Sequence, residues 1–532
     1  MTRYFKGMVV ERPDYTADVL LLIAIAAAMA FFFVGGVSND DLLKVYAATL
    51  RIVAGQLPYR DFFPQNAPLA NVLAAPAFAV LPTIGTAALA LAVTLNVAAT
   101  LLMHRFILRL TGQRVPALVA GVLMAVWYCQ IGGYYFDQVT YLLGFAAFAR
   151  YAERPDGAGA GATEGLLLAC AGLAKQTVGA FVLAAFVATV LLFDGWKPLL
   201  RPRFLAAFAA PLLASCAYLT VIGGWQQFYT YAIVQPAEYG SRGYESNPWR
   251  LATDFVQPWG LDIVAIVRDG RLGQLAFFPI VLSVYLSYVI VALGVRRGHV
   301  DRRVAAGYVF LLLSTVWAAA TPGRLYTHIT FGVPGIVALT IYVLAALSSG
   351  TARVQVGRWA ALAAVALFGG IALVQAAYNL YPDGRQASPL ARGDLWPLTF
   401  DGRQVEAIRV AATIESERKT YALFGEGYLN AAPLALGRAP VDPVLFYEHG
   451  VTIPFGEEQR RAWEATVIAH LRVRQPDVLL VGFYSADQPR HTTSILSMDG
   501  LPALEAYFKQ TYSQVLERSG TVTLFARDDA AR

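Results

Sequence analysis

Charge is what this sequence has least of. Only 15% of its 532 residues are Asp, Glu, Lys or Arg, while 57% are hydrophobic and the mean hydropathy is +0.50. An ordinary soluble domain carries roughly 25% charged residues. The length alone would suggest several soluble domains, and the shortage of charge excludes that reading. Cysteine is also scarce. Cys129, Cys170 and Cys216 all fall within apolar runs, lack metal-ligand spacing and read as buried packing residues. No GxxxxGK[ST] loop, HExxH or CxxC pair occurs, which argues against a nucleotide-driven pump and a zinc protease. Nor is there an internal repeat of the kind many transporters carry.

What the chain does have is apolar runs of roughly 17 to 25 residues, enough for a helix to cross about 30 Å of hydrocarbon. The first, at 18–37, follows Arg3, Lys6 and Arg12. It is long, with no clear small-residue cleavage site beyond it, and so reads as an anchor. Further spans are expected at 86–106, 115–131, 136–152, 163–176, 178–194, 204–223, 275–295, 304–320, 326–347 and 358–379. With the N-terminus inside, alternation places Arg105, Arg109 and Arg114, then Arg150 and Arg154, Lys197, Arg201 and Arg203, Arg296, Arg297, Arg302 and Arg303, and Arg353 and Arg358 at the inner face. The net charge of +6 thus follows the positive-inside pattern and implies no nucleic-acid partner.

The expected fold is a polytopic α-helical membrane protein of about 11 transmembrane helices with a C-terminal extracytoplasmic α/β domain. The membrane domain would cover 1–384, with outer loops at 38–84 and 224–274, and the soluble domain 385–532. In the first outer loop Leu43, Tyr46, Ala47 and Leu50 recur at helical spacing, predicting an amphipathic helix along the membrane face. In the soluble part, helices are predicted at 403–416, 457–473 and 501–510, and strands at 421–425, 477–483, 513–518 and 521–527.

The chemistry-bearing residues gather at the outer face. Asp40 and Asp41 follow the first span directly. They suit either the cap of the next helix or a general base beside a cation ligand. The turn PYRDFFPQNAP sets Arg60 and Asp61 among aromatics, as a structural ion pair or as substrate ligands. Asp137 opens a helix at the same face, as a cap or as a second acid. Lys175, and Arg324 with His328, lie on outer hairpins, where cations oppose the positive-inside tendency. They can snorkel to lipid phosphate or hold the phosphate of a lipid-linked substrate. In the soluble part, Glu426, Tyr428, Tyr447, Glu448 and His449 are polar enough to bind a ligand but read better as ordinary loop residues.

Taken in order, these segments resemble the GT-C superfamily of integral-membrane glycosyltransferases, the branch akin to protein mannosyltransferases and aminoarabinose lipid A transferases. Asp40 and Asp41 stand where the family has its acidic pair, GQLPYRDFFPQNAPL looks like G-x-x-Y-x-D-F-x-x-x-x-P-L, and Asp137 matches the second acid. GLAKQTVGAF and TPGRLYTHITFGVPGIVAL resemble later outer segments, and the match covers roughly residues 15–380. Asp41 departs from the commoner Glu, which leaves open which acid takes the acceptor's proton. The resemblance implies transfer of a sugar, with inversion, from a polyprenyl-phosphate donor to an acceptor hydroxyl on a glycolipid, glycan or protein. Asp40 would be the base. Asp41 and Asp137 would position the acceptor or hold an optional divalent metal (Mg or Mn). Lys175, Arg324 and His328 would stabilise the departing lipid phosphate, and Arg60 and Asp61 would bind substrate. Two other classes fit parts of the pattern. In a transporter or lipid flippase the charges should lie at the bilayer midplane, and in a non-catalytic cell-envelope scaffold alanine at Asp40 should be harmless.

Overall fold

The computed structural model describes residues 15–34, 40–64, 66–128, 134–154, 159–235, 278–319, 331–348, 350–380, 402–414, 419–425, 427–444, 457–482, 501–519 and 522–528, with the single positions 395, 398 and 400. Every predicted span falls on a helix. These are α1 (Thr16–Val34), α4 (Ile84–Thr111), α5 (Arg114–Trp127), α6 (Phe136–Ala152), α7 (Ala162–Ala174), α8 (Gln176–Asp194) and α9 (Pro202–Ile222), then α11 (Phe278–Arg296), α12 (Arg302–Ala319), α13 (Val333–Leu347) and α14 (Gly350–Leu380). Among the described residues, α1, α4, α8 and α9 are long and apolar enough to cross a membrane on their own. Arg353 and Arg358, expected in a connection before the last span, lie inside α14, which starts earlier than its hydropathy suggests.

Polar side chains fasten the bundle from within. Asn96 on α4 is fully buried and donates to the carbonyls of Ala26 on α1 and Ala125 on α5, at 2.9 Å each. In an apolar surrounding a carbonyl gains more from an amide partner than from a hydrocarbon neighbour. Between α7 and α8 the backbones nearly touch. A Cβ on Gly179 would lie 2.5 Å from the Gly172 Cα, so only glycine fits. The expectation that all three cysteines are buried fails for Cys216, which is exposed on α9, and holds only in part for Cys170, which is half-buried on α7. One face of α9 packs closely on α7, where Gly165 lies against the Phe204 backbone, and Cys216 lies off that contact. Cys129 lies outside the described residues.

The segment 38–84, expected as the first outer loop, contains α2 (Asp40–Val53) and α3 (Leu69–Val80). Its apolar stripe is where periodicity put it, but α2 does not present one face and free the other. Leu42, Val45, Ala48 and Thr49 are as buried as Leu43, Tyr46 and Ala47. From Leu42 to Arg51 the helix is enclosed by protein: α3 on one side and C-terminal elements on the other. A short helix, α10 (Trp225–Phe228), and a π-helical turn Tyr229–Val234 follow α9; the rest of the 224–274 loop lies outside the described residues.

The C-terminal part contains α15 (Gly402–Ala411), β1 (Tyr421–Gly425), α16 (Ala431–Leu436), α17 (Glu457–Arg474), β2 (Val478–Gly482), α18 (Pro502–Thr511), β3 (Gln514–Ser519) and β4 (Val522–Ala526). Its sheet runs β1-β2-β4-β3, with β1 and β2 parallel and β4 antiparallel to both β2 and β3. The unbroken apolar runs YALFG and VLLVG fit strands covered on both faces. Gly425 pairs with Gly482 at φ +149°, and a Cβ there would collide with the Gly482 carbonyl.

Candidate active site

Asp40 and Asp41 are the first two residues of α2. The segment 35–39 lies outside the described residues, as do Arg324 and His328.

Asp137 sits in the first turn of α6 but does not cap it. The capping role falls to Gln138, whose Oε1 accepts from the Tyr135 amide at 3.1 Å. Asp137 is fully buried, and its Oδ1 lies 2.6 Å from the Lys175 Nζ. Lys175 occupies the extended residue between α7 and α8, and the Gly172–Gly179 approach fixes that hairpin. Its ammonium also lies 5.6 Å from the centre of the Tyr135 ring, a cation–π distance. The structure therefore joins two residues singled out separately. The partner of Lys175 is a carboxylate, whereas lipid phosphate was the simpler expectation.

One short helix gathers the supports of this pair. On α3, Asn71 donates to the Val45 carbonyl of α2 at 2.9 Å. The next carbonyl back, at Ala70, accepts from the Tyr134 hydroxyl at 2.7 Å, just before α6. The Ala67 amide donates to Gln176 at 3.0 Å, the residue after Lys175. Gln176 in turn donates to the Ala232 carbonyl at 2.8 Å in the loop after α9. The elements carrying Asp40 and Asp41, Asp137 and Lys175 thus share one brace, and neither Asn71 nor Gln176 was legible as a site residue.

Arg60 and Asp61 form the ion pair allowed for them, at 2.7 Å, with Arg60 half exposed. Asp61 does more. It accepts from the Leu57 amide at 2.8 Å and pairs at 2.7 Å with Arg474, at the end of α17. Burial pushes its carboxyl upward, but the hydrogen bonds from Arg60 and Leu57 and the nearby guanidinium charges outweigh burial and hold it below the ordinary range. The turn is strained: Tyr59, buried, has φ 65°, a left-handed conformation costly for an aromatic residue.

This turn is also where the C-terminal part docks. Arg51, in the last turn of α2, and Asp442 are both fully buried, with Nη2 3.3 Å from Oδ2 and Nη1 donating to the Asp442 carbonyl. The Asp442 Oδ1 accepts from the Leu423 amide of β1 at 2.9 Å. Burial pushes the Asp442 carboxyl above the ordinary range despite Arg51 and that amide. The Phe63 amide donates to the Pro443 carbonyl at 2.7 Å, and Phe63 stacks on Tyr231 with ring centres 4.8 Å apart. Of the soluble-part candidates, Tyr428 is fully buried and serves packing, while 426 and 447–449 lie outside the described residues.

Of the two residues expected to hold a divalent metal, Asp137 is already matched by an ammonium, and among the described residues no group of three His, Cys, Asp or Glu side chains gathers. No step below runs through a metal.

The chain thus folds as a long helical unit whose 40–80 segment is clamped to a C-terminal α/β unit, and solved structures share that fold. ArnT from Cupriavidus metallidurans bound to undecaprenyl phosphate superposes with a TM-score of 0.54 at 12% identity, covering 96% of this chain and 98% of that one. The same protein in its apo state gives 0.49 at 14% identity over the same shares. The Archaeoglobus fulgidus oligosaccharyltransferase in complex with Zn and sulfate gives 0.49 at 12% identity, covering 95% of this chain and 73% of that one. No protein-family model and no curated protein matches the sequence. The fold is thus shared with ArnT, as the motif order led one to expect, and the likeness extends through the C-terminal part.

Proposed function

We propose that this protein is an inverting glycosyltransferase of the cytoplasmic (inner) membrane. It would take a sugar from a polyprenyl-phosphate donor at the outer face and pass it to an acceptor hydroxyl. The observation that carries the reading is the buried Asp137–Lys175 pair, on a fold shared with a protein crystallised with undecaprenyl phosphate.

The roles follow from charge. As the bond from the anomeric carbon to the phosphate oxygen breaks, negative charge grows on the departing phosphate. A preplaced ammonium stabilises that charge most when water is excluded. Lys175 supplies it, and Asp137 acts as its positioning residue, holding the ammonium in place without touching substrate. Arg324 and His328, on their own outer hairpin, would offer further donors to the departing phosphate. Asp40 takes the acceptor's proton, with Asp41 orienting the hydroxyl. Arg60, whose side chain is 50% exposed while its pair with Asp61 holds it in place, offers donors to sugar or phosphate oxygens. The basic connections belong to the cytoplasmic side, so the C-terminal part faces outward.

The test offers the purified wild-type protein a panel of radiolabelled polyprenyl-phosphate sugars and measures release of polyprenyl phosphate in the presence of acceptor lipids. Release with one donor supports the reading. No release with any donor, from folded protein, removes it in favour of transport or scaffolding.

A further inference from the structure

At the far end of α6, α7 and α8 from Asp137 and Lys175, the structure holds a cavity of about 840 Å³. Along α6, Asp137 lies 11 to 15 residues from the lining residues Phe148, Tyr151 and Ala152, roughly 16–22 Å at 1.5 Å per residue. Nothing in the transfer reaction uses this second site. Among the described residues its lining carries five cations, Arg154, Lys197, Arg201, Arg302 and Arg303, against two carboxylates, Asp194 and Asp301.

The wall is built, not merely crowded with charge. Arg154 makes a two-pronged bond to the buried Glu164, 2.7 Å to each oxygen, and that carboxylate also accepts from the Gly161 amide at 2.9 Å. Arg302 pairs with Asp194 at 2.8 Å, and Asp194 accepts from the Tyr151 hydroxyl at 2.6 Å. The Arg201 guanidinium lies against Gly159, where any Cβ would strike it. Asp301 accepts from the Val304 amide at 2.8 Å, at the start of α12. These contacts fix the cavity's shape and leave its lining net positive.

A second, independent feature lies beside it. Leu192, Trp196 and Leu200 alternate in sequence with the lining residues Phe193, Asp194, Lys197, Pro198 and Arg201, and are 71%, 59% and 54% exposed. Cations for a phosphate next to open aliphatic and indole surface match an amphiphile better than a soluble anion.

We propose that this cavity binds the phosphodiester headgroup of an anionic phospholipid, whose acyl chains lie along Leu192, Trp196 and Leu200. The site is separate from the transfer centre and would stand whatever that centre's substrate.

Native mass spectrometry of the full-length protein in detergent tests it, titrating phosphatidylglycerol, phosphatidylcholine and inorganic phosphate in turn. Phosphatidylglycerol should bind saturably and in preference to phosphatidylcholine. Lys197→Gln with Arg303→Gln should weaken it about fivefold per cation, roughly 25-fold together, the equivalent of about 1 kcal/mol per charge near a surface. Arg105→Gln removes a cation from the same end whose guanidinium is matched by Glu153, and should leave binding unchanged. Equal binding of the two lipids, no loss in the double variant while its elution profile stays native, or equal weakening by Arg105→Gln would overturn the proposal. Inorganic phosphate binding as tightly as the lipid would also overturn it, in favour of a soluble-anion site.

Discussion

Replacing Arg51 with Met tests how the C-terminal part is held. The substitution keeps an apolar side chain against Phe62, whose ring centre lies 5.6 Å from the guanidinium, and removes the only cation shown facing Asp442 among the described residues. Asp442 has no exposed surface, so it must stay charged without a partner or become protonated. Holding an ordinary carboxyl of pKa about 3.9 protonated at pH 7 costs about 4 kcal/mol, at 1.36 kcal/mol per unit. That agrees with the roughly 3–5 kcal/mol seen when one member of a buried pair is removed. The docked state should therefore lose a factor of roughly a hundred to several thousand against the undocked one. Limited proteolysis between α14 and β1, followed by gel, reads that ratio as the rate at which the C-terminal fragment appears. The defect should shrink with acid, since at pH 5 the same protonation costs only about 1.5 kcal/mol. Asp442→Asn with Arg51→Met, which keeps an acceptor for the Leu423 amide, should recover much of the loss. A single Arg51→Met variant as resistant as wild type at pH 7, or a defect that does not change with pH, refutes the argument.

Other outcomes follow from the same geometry. Lys175→Met should destabilise the protein by roughly 3–5 kcal/mol by stranding buried Asp137, and adding Asp137→Leu should restore thermal stability but not sugar transfer. Gly179→Val should sharply lower the yield of folded protein in detergent, because its branched side chain meets the Gly172 backbone with no room to yield. At the docking face, His470 is held below its ordinary value by burial first and by the charge of Arg474. A depressed folded pKa gives stability present above the unfolded value of about 6.5, lost as pH falls through the folded one. Proteolytic release of the C-terminal fragment should thus rise as wild type is taken below pH 6.5, and His470→Gln should remove that part of the slope. Asp61, also depressed, adds a loss in the same direction at lower pH.

How much of this was legible depends on whether the information is local. Apolar runs long enough to span a bilayer declare themselves residue by residue, and the expected spans fall on helices, with the starts of α13 and α14 off by seven or eight positions. The strand YALFG and the amphipathic helix starting at Glu457 were equally clear, because burial on both faces and helical spacing leave different patterns. The enclosure of α2 was not legible. Its stripe of Leu43, Tyr46, Ala47 and Leu50 says that one face is apolar, while what covers the other face is decided by residues near 430 and 442, far along the chain. Arg51 looked like an ordinary last-turn cation because its partner lies 391 positions away. Asp137 and Lys175 were each marked by unusual placement, but their pairing depends on how α6 meets the α7–α8 hairpin. Cys216 was misread for the same reason: apolarity in a membrane chain does not distinguish a helix's inner face from its outer one.

The most direct test of the central claim compares wild type with Asp40→Asn for polyprenyl-phosphate release from the accepted donor, after both are shown to elute and melt alike. If Asp40 is the base, kcat should fall by roughly a hundred- to ten-thousandfold, with little change in donor KM. Retention of wild-type turnover by Asp40→Asn would contradict the account and move the search for the base to Asp41 or away from α2 altogether.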